Sequence, residues 1–285
     1  GLAGKRRAMR ILLINPNTSA DITARMVALA QGMAPAGVLF TGATGRFGAR
    51  YIASRAAAAV AAHATLDAYA EHGGGADAVL LGCFGDPGLD GLRELASVPV
   101  VGMADAACVA ACLHGRRFSI VTGGERWGPM LEEFCAARGL RDRLASVRTV
   151  APTGAELAAD PAGSRAMLAA ACDAAACEDG AEAVILAGAG LAGLAPEIAA
   201  GVPVPVLCSL AEGVRTVLAV AAARVAKPRR GSFAPTPAVE TVGLATPLAA
   251  LLGGGQPRSG TTDATPSMPA NSSSAVQAAA PAAKP

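Results

Sequence analysis

Gly75-Ala-Asp-Ala-Val-Leu-Leu-Gly-Cys83-Phe-Gly85 recurs downstream as Gly180-Ala-Glu-Ala-Val-Ile-Leu-Ala-Gly188-Ala-Gly190. Each copy is a short apolar run ending in a glycine-rich turn. That pattern suits a parallel strand buried on both faces and opening into a loop. Open α/β sheets place their chemistry at such strand ends. A chain built of two like halves sets two of these loops face to face, with Cys83 opposite Gly188. Only the first copy carries a thiol.

The repeat extends outward from this phrase. Arg10-Ile-Leu-Leu-Ile-Asn15 matches Arg117-Phe-Ser-Ile-Val-Thr122, and Val98-Pro-Val100 matches Val204-Pro-Val206. Strand-like runs at 10–15, 37–41, 78–82, 98–101, 117–122, 146–150, 182–187 and 202–207 alternate with Ala-rich helical stretches, which predicts βαβ units and parallel sheets. The expected fold is α/β, with two pseudo-symmetric lobes, each a parallel four-stranded sheet flanked by helices, and an active site in the cleft between them. Lobe 1 spans 9–105 and is completed by 208–252; lobe 2 spans 106–207. A helix is expected over 210–226, closed by Lys227-Pro228. From 253 to 285 the chain is Gly, Pro, Ala and Ser without periodicity and reads as a disordered tail. Residues 1–8, with Lys5, Arg6 and Arg7, read as a leader or expression remnant.

Composition narrows the class. At 285 residues the chain has room for two such lobes, and 52% hydrophobic but 3% aromatic residues mean an aliphatic core. A net charge of +2 gives no basis for a nucleic-acid or membrane partner. The longest nearly apolar stretch, 183–195, is broken by glycines and falls short of the roughly 20 residues of a membrane span. Seven cysteines without an export signal suit free thiols in a reducing cytoplasm. Their spacing lacks paired Cys-x-x-Cys units, so no metal site is expected. Cys108, Cys112, Cys135, Cys172 and Cys177 fall in helical context and are expected to pack.

The groups suited to chemistry sit at strand ends. Asn17 and Thr18, in Asn15-Pro-Asn17-Thr18-Ser19, precede a helix starting near Asp21 and can hold a substrate's polar edge, while Thr18 or Ser19 can also cap that helix. Cys83 stands before Gly85-Asp-Pro-Gly88, where loop N–H groups and a helix N-terminus favour a lowered thiol pKa; the alternative is a small buried hydrophobe. Thr122-Gly123-Gly124-Glu125-Arg126-Trp127 is the counterpart of the Asn15 loop. Its glycines offer N–H groups to an oxyanion, and Arg126 and Trp127 can close a pocket or join the lobes. Further backbone N–H groups lie near Phe84, Gly85, Gly124 and Ala189 at these strand ends. Gly188-Ala-Gly190-Leu-Ala-Gly193 mimics a dinucleotide fingerprint, but its match to the Cys83 segment explains it better.

These residues resemble the aspartate/glutamate/hydantoin racemase superfamily, hydantoin racemase branch. The resemblance rests on Ile14-Asn-Pro-Asn-Thr-Ser19, Gly82-Cys-Phe-Gly-Asp-Pro-Gly88, Pro99-Val-Val-Gly102, Phe118-Ser-Ile-Val-Thr-Gly-Gly-Glu-Arg-Trp127 and Val202-Pro-Val-Pro-Val206, in family order from about residue 9 to 251. It implies a cofactor-independent racemase of a hydantoin or amino-acid derivative, with homo-oligomerisation left open. Two cysteines would work on opposite faces of an acidic carbon, one removing the proton and the other returning it. By that resemblance Cys83 is the first, and the second is expected where Gly188 stands. Three substitutes present themselves: Cys208 from the neighbouring strand, water, or one-sided chemistry like that of the superfamily's arylmalonate decarboxylases. A ligand-binding member without turnover is the remaining reading.

Overall fold

The computed structural model describes residues 7–152, 156 and 160–259. The first half runs β1 (Met9–Asn15), α1 (Ala20–Met33), β2 (Val38–Thr44), α2 (Arg55–His72), β3 (Ala78–Leu81), α3 (Leu89–Leu95), β4 (Val100–Gly102) and α4 (Met103–His114). The second runs β5 (Phe118–Gly123), α5 (Trp127–Ala137), β6 (Leu144–Val150), α6 (Pro161–Cys177), β7 (Ala183–Leu186), α7 (Ala195–Ile198), β8 (Val206–Cys208), α8 (Ser209–Ala223) and α9 (Thr246–Leu252).

Two four-stranded parallel sheets result, in the orders β2-β1-β3-β4 and β6-β5-β7-β8. The registers match: Ile11 pairs with Ala78 as Phe118 pairs with Ala183. All four residues of β3 and of β7 are buried, as sheets covered by helices on both faces require. Cys83 and Gly188 therefore leave their sheets at equivalent points. β4 and β8 are shorter than the sequence runs suggest, because Pro99 and Pro205 bring no N–H to the ladder; their carbonyls still accept from Val79 and Val184, both at 2.9 Å.

One aliphatic core joins the halves, with Leu80, Met103 and Val214 in the same cluster as Ile120, Ile185 and Leu207. On α8, Leu210, Val214 and Val217 are buried against β3, β4 and α4, each contributing about 1.5–3 kcal/mol by burial. Shortly before the end of the described chain, α9 buries Leu248 and Leu251 against α2.

Several expectations change. Cys108, Cys135 and Cys172 are buried and Cys112 partly so, but Cys177, the last residue of α6, is exposed because that helix end faces solvent. The tail does not leave the fold at Gly253: Arg258 N–H donates to Ala70 O (2.7 Å) and Gly74 N–H to Arg258 O (2.8 Å), so backbone pairing holds its first residues. Residues 260–285 of that tail, and 1–6 of the leader, lie outside the described residues. Arg7, read as leader, donates to Asp77 Oδ1 at 2.5 Å.

Candidate active site

The loops after β1, β3, β5 and β7 converge between the sheets around a cavity with about 630 Å³ of unfilled space, counting what opens to solvent. Cys83, Phe84, Gly188 and Ala189 line it from the two repeat loops, and Asn17, Ser19 and Thr122 from the other two. Ile22, Ile52, Trp127 and Leu131 make its walls apolar. Arg50 is the only permanently charged lining side chain, and no described carboxylate pairs with it.

The first loop is built on Asn15, which is fully buried. Its Nδ2 donates to Asn17 Oδ1 (2.8 Å), Thr23 Oγ1 (3.0 Å) and Ser19 O (3.2 Å). Ser19 N–H also donates to Asn17 Oδ1 (2.9 Å), which leaves the Asn17 amide N–H groups for the cavity. Capping departs from expectation: Ser19 is the N-cap of α1, yet its hydroxyl donates to Arg50 O (2.9 Å) instead of accepting from the helix. That bond pins the 50–52 segment over the cavity. Tyr51 fastens it to lobe 2 through a hydroxyl bond to Gly123 O (3.0 Å).

Cys83 keeps part of its surface on the cavity. The expected lowering of its pKa is reversed: burial, and after it the Asp86 carboxylate, push the thiol up to about 12. Asp86 is buried and sits at φ +46°. Its oxygens accept from Ala104 N–H (3.0 Å) and Asp105 N–H (2.8 Å) at the start of α4, yet burial carries its carboxyl up to about 7 against those bonds. Asp86 turns its carboxylate to the N-terminus of α4 and not to α3, the helix that follows the Cys83 loop. Gly102 admits this carboxylate, since a Cβ there would lie 2.1 Å from Asp86 Oδ2.

The opposite loop is built differently. Gly188 has φ +122° and ψ +144°, a region essentially reserved for glycine. A Cβ built on it would meet Thr122 Oγ1 at 3.7 Å, an ordinary contact, so backbone conformation and not space selects glycine. Thr122 Oγ1 donates to Ala187 O (2.9 Å), and Gly188 N–H donates to Ser209 Oγ (3.3 Å). From α1, Arg25 reaches across to donate to Ala192 O (2.8 Å) and Gly190 O (3.4 Å).

The geometry brings together Cys83, Phe84, Asn17, Thr122, Gly188 and Ala189, and leaves the other sequence candidates outside the cavity lining. Thr18 donates its N–H to Ala49 O (3.2 Å). Gly85 lies under Trp127, which closes the wall while Arg126 does not line it. Gly123 lends its carbonyl to Tyr51, and Gly124 N–H is taken by Val150 O (2.9 Å), so it is no oxyanion donor. Cys208 ends β8 and packs into the apolar clusters; one residue on, Ser209 reaches Gly188. The sequence reading missed Asn15, Arg50, Tyr51 and Asp86. Of these only Asp86 carried a signal, since it stands three residues beyond Cys83 where the second copy has Leu191.

Two repeated α/β lobes, with a thiol and a glycine lining the cavity between them, have the architecture of the racemase superfamily. The chain belongs to the Asp/Glu/hydantoin racemase family, whose model matches residues 11–217. It is 33% identical to a hydantoin racemase of Paenarthrobacter aurescens over 201 residues, 70% of this chain and 85% of that one. The structure of an allantoin racemase from Pseudomonas fluorescens matches with a TM-score of 0.79 at 31% identity, over 82% of this chain and 100% of that one. Arylmalonate decarboxylase matches in fold alone, with a TM-score of 0.56 at 20% identity, over 77% of this chain and 96% of that one. Among the described residues no helix is long and apolar enough to cross a membrane.

Proposed function

We propose that the protein moves a proton at a carbon flanked by carbonyl groups, as in a 5-substituted hydantoin or another cyclic amino-acid derivative, with Cys83 as the reacting thiol. The observation that carries this reading is the placement of Cys83 in the interlobe cavity beside N–H donors that no described residue uses, those of Phe84 and Ala189. Such donors stabilise an enolate by about 3–4 kcal/mol each when well placed. Asn17 and Arg50 suit the carbonyl-rich edge of the ring. As a thiolate, Cys83 takes the proton and leaves a carbanion delocalised onto the flanking carbonyls. Inversion then needs a proton on the Gly188 face, where Thr122 lines the cavity with a hydroxyl and solvent water supplies the proton. No cofactor enters this scheme, and the free thiols suit a reducing cytoplasm.

One observation favours a second reading. A thiol held near 12 keeps its proton at neutral pH, which suits a donor that quenches an enolate formed by loss of carbon dioxide, a single-cysteine lyase. Incubation in heavy water with hydantoins, allantoin, aspartate, glutamate and arylmalonates separates these readings by NMR and polarimetry. Deuterium uptake at the acidic carbon with loss of optical rotation, abolished in Cys83→Ser, is the expected result. Carbon dioxide release selects the lyase. Absence of both from every substrate refutes the proposal and leaves a ligand-binding protein.

A further inference from the structure

Cys83 and Asp86 of the first repeat loop stand where the second has Gly188 and Leu191. Three observations tie Asp86 to the cysteine. Its N–H donates to Cys83 O (3.0 Å), closing the turn that carries the thiol. Its own backbone is held at φ +46°, a conformation costly for a non-glycine residue. Its carboxylate, 4% exposed, bonds two successive N–H groups of α4, and Gly102 lacks the Cβ that would exclude it. Helix capping alone does not require the anion to follow the thiol around the strained turn. The equivalent helix in the other half, α8, does without a side-chain cap.

We propose that Asp86 is the positioning residue of Cys83: it locks the thiol-bearing turn onto α4 and sets a titratable carboxylate in that same turn, so that its ionisation decides how readily the thiolate forms. This rests on the reading of Cys83 as the reacting thiol. The charged groups facing Asp86 are Asp105, paired with Arg93 at 2.7 Å, and Arg138, paired with Asp90 at 2.9 Å; the buried thiol of Cys108 also lies within its field. These two ion pairs leave Asp86 as the carboxylate in this group without an ion-pair partner among the described residues.

The test is the rate of Cys83 alkylation by iodoacetamide from pH 5.5 to 9.5, read peptide by peptide by mass spectrometry. In the unaltered protein the logarithm of the rate should climb by one per pH unit except around pH 7, where Asp86 ionises and flattens the rise. Asp86→Asn should follow the unaltered protein below pH 6 and exceed it by roughly tenfold above pH 8, the factor of one pKa unit. A merely structural role changes the rate equally at every pH. An unbroken unit slope in the unaltered protein overturns the proposal, and so does a variant curve parallel to it throughout. If Asp86→Asn does not fold, as seen by circular dichroism, the slope of the unaltered protein decides alone. Isotope exchange by Cys83→Ser tests the parent reading separately, since alkylation needs no substrate.

Discussion

Replacing Gly188 by alanine measures whether the loop opposite Cys83 is built for glycine or has merely lost a cysteine. A methyl group there meets only Thr122 Oγ1 at 3.7 Å, so no steric clash enters. The cost is conformational: φ +122° with ψ +144° costs an L-residue about 1–3 kcal/mol. The entropy that alanine removes from the unfolded chain returns about 0.4–1 kcal/mol. A net loss of about 1–2 kcal/mol remains, which for a chain of this size lowers Tm by roughly 2–4 °C. Gly201→Ala is the control, because it has open space and an ordinary backbone; it should leave Tm unchanged or raise it slightly. Differential scanning calorimetry of both variants decides the matter. Equal Tm changes for the two would refute the argument and make Gly188 a substitution on an otherwise unchanged turn. If the argument holds, Gly188→Cys is destabilised to a similar degree and gains racemisation in the heavy-water assay only as far as the turn relaxes.

Three further outcomes are expected. Asp86 binds a proton more tightly folded than unfolded, its carboxyl rising from 3.8 to about 7, so stability falls as pH rises from about 4 through 7, by an amount on the order of 4 kcal/mol. Urea melts of Asp86→Asn should show that slope flattened, and an unchanged slope would assign it elsewhere. Arg50→Gln should raise KM for a carbonyl-rich substrate about tenfold with a smaller change in kcat, because Arg50 lines the cavity that the proposed substrate would fill; a fall in kcat alone would contradict this. Cys208→Ala should leave the isotope-exchange rate within about twofold, since its thiol packs away from the cavity, and loss of exchange would restore it as a proton source.

The halves of the fold were legible in the chain because a doubly buried parallel strand needs an unbroken aliphatic run, and Ala-Val-Leu-Leu of β3 and Ala-Val-Ile-Leu of β7 could hardly be anything else. Cys83 and Gly188 were found by the same repeat, which fixes where each loop leaves its sheet. Asn17, Phe84, Thr122 and Ala189 followed because strand ends are local features. What the chain alone left open depended on contacts between distant segments. Whether an N–H is available is settled by its partner, so Gly124 was lost to Val150 and Thr18 to Ala49. Arg50 and Tyr51 belong to a crossing segment with no motif and reach the cavity only because Ser19 and Gly123 hold it there. The acidity of Cys83 reversed for the same reason: sequence shows a thiol near a helix start, but burial is a property of the packed whole, and the Asp86 carboxylate adds to its effect. Local pattern therefore determined the strands and the loops that end them. Tertiary packing decided which of their donors, charges and protons face the cavity, because hydrogen-bond partners and desolvation come from residues far apart in the chain.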